Sequence, residues 1–142
     1  MPGHLCDALP VDATPALAVA DPRVKAAFAM APGVVQAFGM DAAGLAQMAV
    51  PACIIVGAAD TVTPPAENAV FAAEHIRNVD LVVLPGPVGH EIFVNECDDE
   101  GRRELPETCV DAPGVDRAKL HEAIGAAALR FFAANLPAAA PR

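Results

Sequence analysis

The stretch Ala52-Cys53-Ile54-Ile55-Val56-Gly57 does most to limit the folds open to this chain. It is continuously apolar, rich in β-branched side chains and bounded by Pro51 and Gly57, so it reads as a strand buried on both faces. Two further apolar runs flank it. Val24 to Ala31, interrupted only by Lys25 and closed by Pro32-Gly33, reads as another strand buried on both faces, and Val79 to Leu84 is closed by Pro85-Gly86-Pro87. Connections of about 20 residues separate the runs, too long for hairpins and long enough for right-handed parallel crossovers.

Helical patterns fill those crossovers. Asp41 to Met48 gives a short helix ended by Pro51. Thr63 is placed to cap a second helix, with Pro64 and Pro65 in its first turn and Glu67 suiting its positive end. Ala66, Ala69, Val70, Ala73 and Ile76 then supply the apolar face that packs on a sheet. A last helix starts near Asp116, carries Leu120, Ile124, Ala127 and Phe131 on one face, and stops before Pro137. The predicted fold class is α/β, about three parallel strands with helices on both faces. Residues 1–23, punctuated by Pro2, Pro10, Pro15 and Pro22, read as an irregular lead-in to one domain over 24–136, and 137–142 as a frayed tail. Asn95 to Asp111, polar and acidic, reads as a surface insertion.

Composition narrows the partners. At 142 residues with 54% apolar and 19% charged, the chain is globular rather than disordered. Its formal net charge of −9 repels phosphate backbones and anionic lipid heads, so neither nucleic acid nor a membrane surface is an expected partner. The start, Met1 to Asp7, lacks a secretory pattern, and no apolar run reaches membrane-spanning length. The expected location of the chain as written is the cytoplasm, with export if its true start lies upstream. Cys6, Cys53, Cys97 and Cys109 form no C-x-x-C pair, and no histidine stands four residues from another ligand. Neither a metal nor another cofactor is expected.

In parallel sheets, ligands gather at the carboxyl ends of the strands. Two titratable side chains fall there: Asp60 in Gly57-Ala58-Ala59-Asp60-Thr61-Val62-Thr63-Pro64-Pro65, and His90 in Pro85-Gly86-Pro87-Val88-Gly89-His90. If the two strands are neighbours at about 4.8 Å, both loops leave the same sheet edge and an Asp–His hydrogen bond comes within reach. Of the other histidines, His75 near a helix end suits the negative dipole, His121 on the flank of the last helix is expected in solvent, and His4 lies in the lead-in. Cys53, inside the central strand, reads as a small core hydrophobe.

This order of acid and then histidine resembles the second half of an α/β-hydrolase, whose chain order is nucleophile, acid, histidine. The resemblance is closest to dienelactone-hydrolase-like carboxyl-ester hydrolases. It runs over about residues 21 to 136, on Asp21-Pro22-Arg23-Val24-Lys25-Ala26-Ala27 leading to Ala31-Pro32, the Gly57 to Pro65 segment, the glycine-framed His90, and Gly114-Val115-Asp116-Arg117. It implies that Asp60 orients and supports His90, and that His90 is the general base toward a hydroxyl or thiol nucleophile. It also brings a cysteine pair after the histidine, here Cys97 and Cys109. A bridge there would contribute about 3 kcal/mol in an oxidising compartment, but without an export signal two free thiols are the expectation.

The family's nucleophile elbow has no counterpart. The chain contains no serine, and nothing before Val24 forms the strand that carries an elbow. Cys6 has five residues before it and no G-x-C-x-G context. Two readings follow, with different partners. One is a truncated ester hydrolase, inactive alone, that takes a small ester once a complementary N-terminal half supplies the nucleophile. The other is a non-catalytic module that self-associates through the uncovered edge of its first strand.

Overall fold

The computed structural model describes residues 21–33 and 40–136. The expected lead-in up to residue 20, with His4 and Cys6, and the expected tail lie outside the described residues. The fold is α/β: a three-stranded parallel sheet in the order β1 (Ala27–Met30), β2 (Ala52–Gly57), β3 (Val79–Leu84), with helices on both faces. Register places Ala52 beside both Ala27 and Val79, and Gly57 beside Leu84, so β2 and β3 end level with each other.

Burial explains why the central strand is so apolar. All six residues of β2 are buried, and successive side chains serve opposite cores. Ile54 and Val56 pack with Leu45 of α1 (Ala42–Leu45), with Ala69 and Ala72 on the second crossover, and with Ile76. Ile55 packs instead with Leu84, Val88, Ile92 and Ile124, the last from α5 (Arg117–Asn135). Phe28 of β1 meets Phe131 and Phe132 of α5 at ring separations of 6.1 and 6.2 Å, closing that face.

Local signals set most boundaries. Asp41 caps α1 by accepting from Gly44 N, and Asp116 caps α5 by accepting from Lys119 N. The second crossover opens differently from the sequence expectation. Pro65 occupies the cap position with no side-chain bond, and a π-helical turn, Ala66–Val70, leads into α2 (Phe71–His75). The Thr63 hydroxyl is engaged elsewhere, as described below. The first strand is also corrected: only Ala27–Met30 is extended, and it is partly exposed instead of buried on both faces. Among the described residues it pairs with β2 alone, so β2 takes the doubly covered centre.

The acidic insertion has structure of its own. After a 3-10 turn at His90–Phe93 come α3 (Asp99–Glu104) and α4 (Pro106–Cys109). Contrary to the expectation of free thiols, Cys97 and Cys109 form a disulfide. The turn capped by Asp98 and the α4 backbone bring their Cα atoms to 5.5 Å, and Gly101 leaves room for the bridge, since a Cβ there would stand 3.1 Å from Cys97 Cβ and 3.4 Å from Cys109 Sγ. Arg117, the first residue of α5, is buried and fastens the segment. Its guanidinium donates to both Asp111 oxygens at 2.8–2.9 Å, to Thr108 O at 2.8 Å and to Asn95 O at 3.2 Å. No helix among the described residues is long and apolar enough to cross a membrane.

Candidate functional site

Two loops leave the level ends of β2 and β3 and are locked together by backbone. Ala58 N donates to Leu84 O, and Ala59 N to Val88 O, both at 2.9 Å. Gly57 makes this approach possible: a Cβ on it would lie 2.2 Å from Val88 O, closer than atoms pack. The chain then turns through Asp60 N to Gly57 O at 3.2 Å, which carries the Asp60 side chain under the His90 loop. His90 heads the 3-10 turn whose Ile92 is among the most buried side chains of the molecule, so the imidazole is anchored from below.

The two side chains predicted to meet do meet. His90 Nδ1 lies 2.8 Å from Asp60 Oδ2, with the carboxylate fully buried and the imidazole 29% exposed. Asp60 Oδ1 accepts from Val62 N at 2.9 Å and from Thr63 N at 2.8 Å. Oδ2 also lies 3.1 Å from Thr63 Oγ1. Burial pushes the Asp60 carboxyl up, but the Thr63 amide, His90 and the Thr63 hydroxyl outweigh it and hold Asp60 below the usual carboxylate range. An ionised, fully bonded carboxylate accepts the Nδ1 proton of a neutral imidazole. Nε2, which makes no hydrogen bond to a described residue, is then left with its lone pair and can take a proton from an approaching group.

A cavity of about 370 Å³ opens at His90. Thr61 and Val62 from the acid loop, Pro87 and Ile92 from the histidine loop, and Glu107 and Val110 from the disulfide-closed segment contribute to its walls. A larger cavity of about 430 Å³ sits against the disulfide and Arg117 and is not lined by His90, so the smaller one is the space beside the imidazole. Among the described residues no three histidine, cysteine or acidic side chains gather as a metal site would require.

The remaining candidates are dispersed. Cys53 is buried in β2, and burial together with the Asp80 carboxylate opposite it pushes its thiol up, away from thiolate chemistry. His75 Nδ1 sits 2.7 Å from Phe71 O in the last turn of α2, where a donor suits the helix end. His121 is corrected: it is half-buried, with Nε2 2.6 Å from Ile92 O, and braces the 3-10 turn that carries His90. Sequence reasoning also missed Thr63 and Arg117 as organising residues. Thr63 Oγ1 is 3.3 Å from His90 Nδ1, but that is the nitrogen already given to Asp60, so the hydroxyl does not sit where an attacking group would. Thr63 stands within the Gly57 to Pro65 segment and Arg117 closes Gly114-Val115-Asp116-Arg117.

No family model, curated protein or solved structure matches the chain.

Proposed function

We propose that this chain is the acid-and-base half of an α/β-hydrolase-type site for carboxyl esters, resembling the dienelactone-hydrolase-like branch, with Asp60 orienting His90 and His90 acting as general base. The observation that carries the reading is the 2.8 Å contact between Asp60 Oδ2 and His90 Nδ1, made from the carboxyl ends of adjacent parallel strands beside a cavity. Acyl transfer also needs a nucleophile within hydrogen-bond reach of Nε2 and donors for the oxyanion. The chain has no serine, and its Thr63 hydroxyl lies on the Nδ1 side of the ring. In this reading a complementary half, docked along the edge of β1 that pairs with no described strand, supplies the nucleophile.

The test is reconstitution. The purified chain alone shows no His90-dependent turnover of p-nitrophenyl acetate. Addition of an N-terminal half from a dienelactone-hydrolase-like enzyme, bearing a G-x-S-x-G elbow, restores turnover that His90→Ala in this chain abolishes. A mixture with no turnover, or with turnover indifferent to His90→Ala, contradicts the reading. A second reading, a self-associating module without catalysis, draws on the edge of β1 that pairs with no described strand, with the exposed Leu81, Val82 and Val83 of β3 as further apolar surface. It predicts a stable oligomer by light scattering and no activity in any mixture.

A further inference from the structure

The hydroxyl of Thr63 stands between three groups and carries one proton. Its oxygen is 3.1 Å from Asp60 Oδ2, 3.3 Å from Ala31 O and 3.3 Å from His90 Nδ1. The shorter 2.8 Å contact assigns the proton between His90 and Asp60 to Nδ1, so Nδ1 has no lone pair to offer and the hydroxyl has two acceptors left. One is the carboxylate. The other is the carbonyl at the end of β1, where Ala31 adopts a left-handed backbone at φ 42°, uncommon for a residue with a side chain.

The two settings differ in what Asp60 has to give. With the hydroxyl turned to Oδ2, the carboxylate accepts from Val62 N, Thr63 N, Thr63 Oγ1 and His90 Nδ1, which fills its four lone-pair positions. With the hydroxyl turned to Ala31 O, Oδ2 serves His90 alone, and a carboxylate that shares its charge among fewer donors holds each more strongly.

We propose that Thr63 is a positioning residue whose hydroxyl, divided between Asp60 Oδ2 and the Ala31 carbonyl, sets how firmly Asp60 grips His90 and so ties the tip of β1 to the acid–base pair. The inference deepens the hydrolase reading and rests on it. It also gives that reading a route by which a partner seated along β1 reaches His90: a shift of the Ala31 carbonyl moves the hydroxyl's balance, and the carboxylate responds.

The experiment follows the His90 Nδ1 proton by NMR in the intact chain, in wild type, Thr63→Val and Thr63→Ser. Thr63→Val deletes the competing donor while keeping the branched shape. The Nδ1 proton resonance moves downfield as the remaining bond to Asp60 tightens, and Thr63→Ser returns it to the wild-type position. An Nδ1 proton unmoved in Thr63→Val overturns the proposal, because the hydroxyl then serves Ala31 alone; a resonance moved equally in Thr63→Ser overturns it too, because packing of the methyl would be the cause. If Thr63→Val fails to fold, Ala31 labelled at its carbonyl carbon supplies the second measurement. A Thr63→Ser chain whose hydroxyl is shared shows coupled changes of the Ala31 carbonyl and the His90 Nδ1 proton with temperature, and independent changes contradict sharing. Reconstituted turnover is a separate readout, so a failed hydrolase reading with an intact Thr63 response stays distinguishable from the reverse.

Discussion

The Asp60–His90 corner and the disulfide-closed segment after it are neighbours built on opposite plans. At the corner, two loops continue from strands already in register, and backbone bonds from Ala58 and Ala59 fix them before any side chain acts. The segment from Asn95 to Asp111 has no sheet to continue. Its two short helices bury only Cys109, and it is held by one covalent bridge and by one arginine reaching across from α5. One region inherits its precision from the sheet, whereas the other acquires it from crosslinks. Damage to the sheet end therefore costs both stability and the Asp60–His90 pair, while damage to the crosslinks lowers stability and leaves the pair intact.

The largest effect falls on Gly57. A Cβ at 2.2 Å from Val88 O has no flexible neighbour to displace, so Gly57→Ala costs about 4 kcal/mol or more by denaturant unfolding, and the His90 Nδ1 proton signal is lost with it. Gly89→Ala, whose added Cβ meets nothing within 4 Å, changes stability by less than about 0.5 kcal/mol. Equal effects would show that the approach of the two loops is not what holds the corner.

Arg117→Ala comes next. It leaves Asp111 without its cation and strips Thr108 O and Asn95 O of a donor, which costs about 3 kcal/mol. Arg117→Lys recovers less than half of this, because an ammonium cannot span a bidentate carboxylate and two carbonyls at once. The double variant Cys97→Ser, Cys109→Ser costs slightly less, about 2–3 kcal/mol for a closure of 12 residues. In both cases the His90 Nδ1 proton stays where it is. A shifted signal would mean that the segment does position the histidine.

The smallest effect is in acid. Asp60 is held below the ordinary carboxylate value, so its ionised form contributes stability above the unfolded value of about 3.9, and that contribution fades as pH falls through the lower folded value. Asp60→Asn removes this part of the pH dependence. Its stability, measured by urea unfolding, falls less steeply than wild type below about pH 4. Parallel curves would show that Asp60 is not ionised by its surroundings as described.

The contrast between the two regions also explains what the sequence discloses. β2 and β3 are legible to the residue because β-branched runs stop at Gly57 and Pro85, and Asp60 and His90 are legible because loops at the carboxyl ends of adjacent strands converge. β1 is read four residues too long, since an apolar run does not reveal that β2, and not β1, is covered on both faces. The disulfide, the Arg117 clamp and the His121 bond to Ile92 O join residues 12, 6 to 22, and 29 positions apart through loops of no fixed period. Arg117 and His121 are visible but the carbonyls they reach are not, and the cysteine pair is visible but not that it is bridged. Thr63 is misread for a related reason: cap signals favour threonine before two prolines, but the buried carboxylate three residues earlier competes for the same hydroxyl.

The central claim is that Asp60 fixes the His90 imidazole as a donor at Nδ1 and leaves Nε2 free to take a proton. The direct measurement is the pair of imidazole 15N shifts of His90 in neutral rings of wild type and of Asp60→Asn. Wild type shows the proton on Nδ1. In Asp60→Asn, the amides of Val62 and Thr63 keep the carbonyl oxygen at the Oδ1 position and turn the new NH₂ toward the imidazole, so the proton moves to Nε2. A wild-type ring already protonated on Nε2, or a tautomer unchanged by Asp60→Asn, contradicts the account.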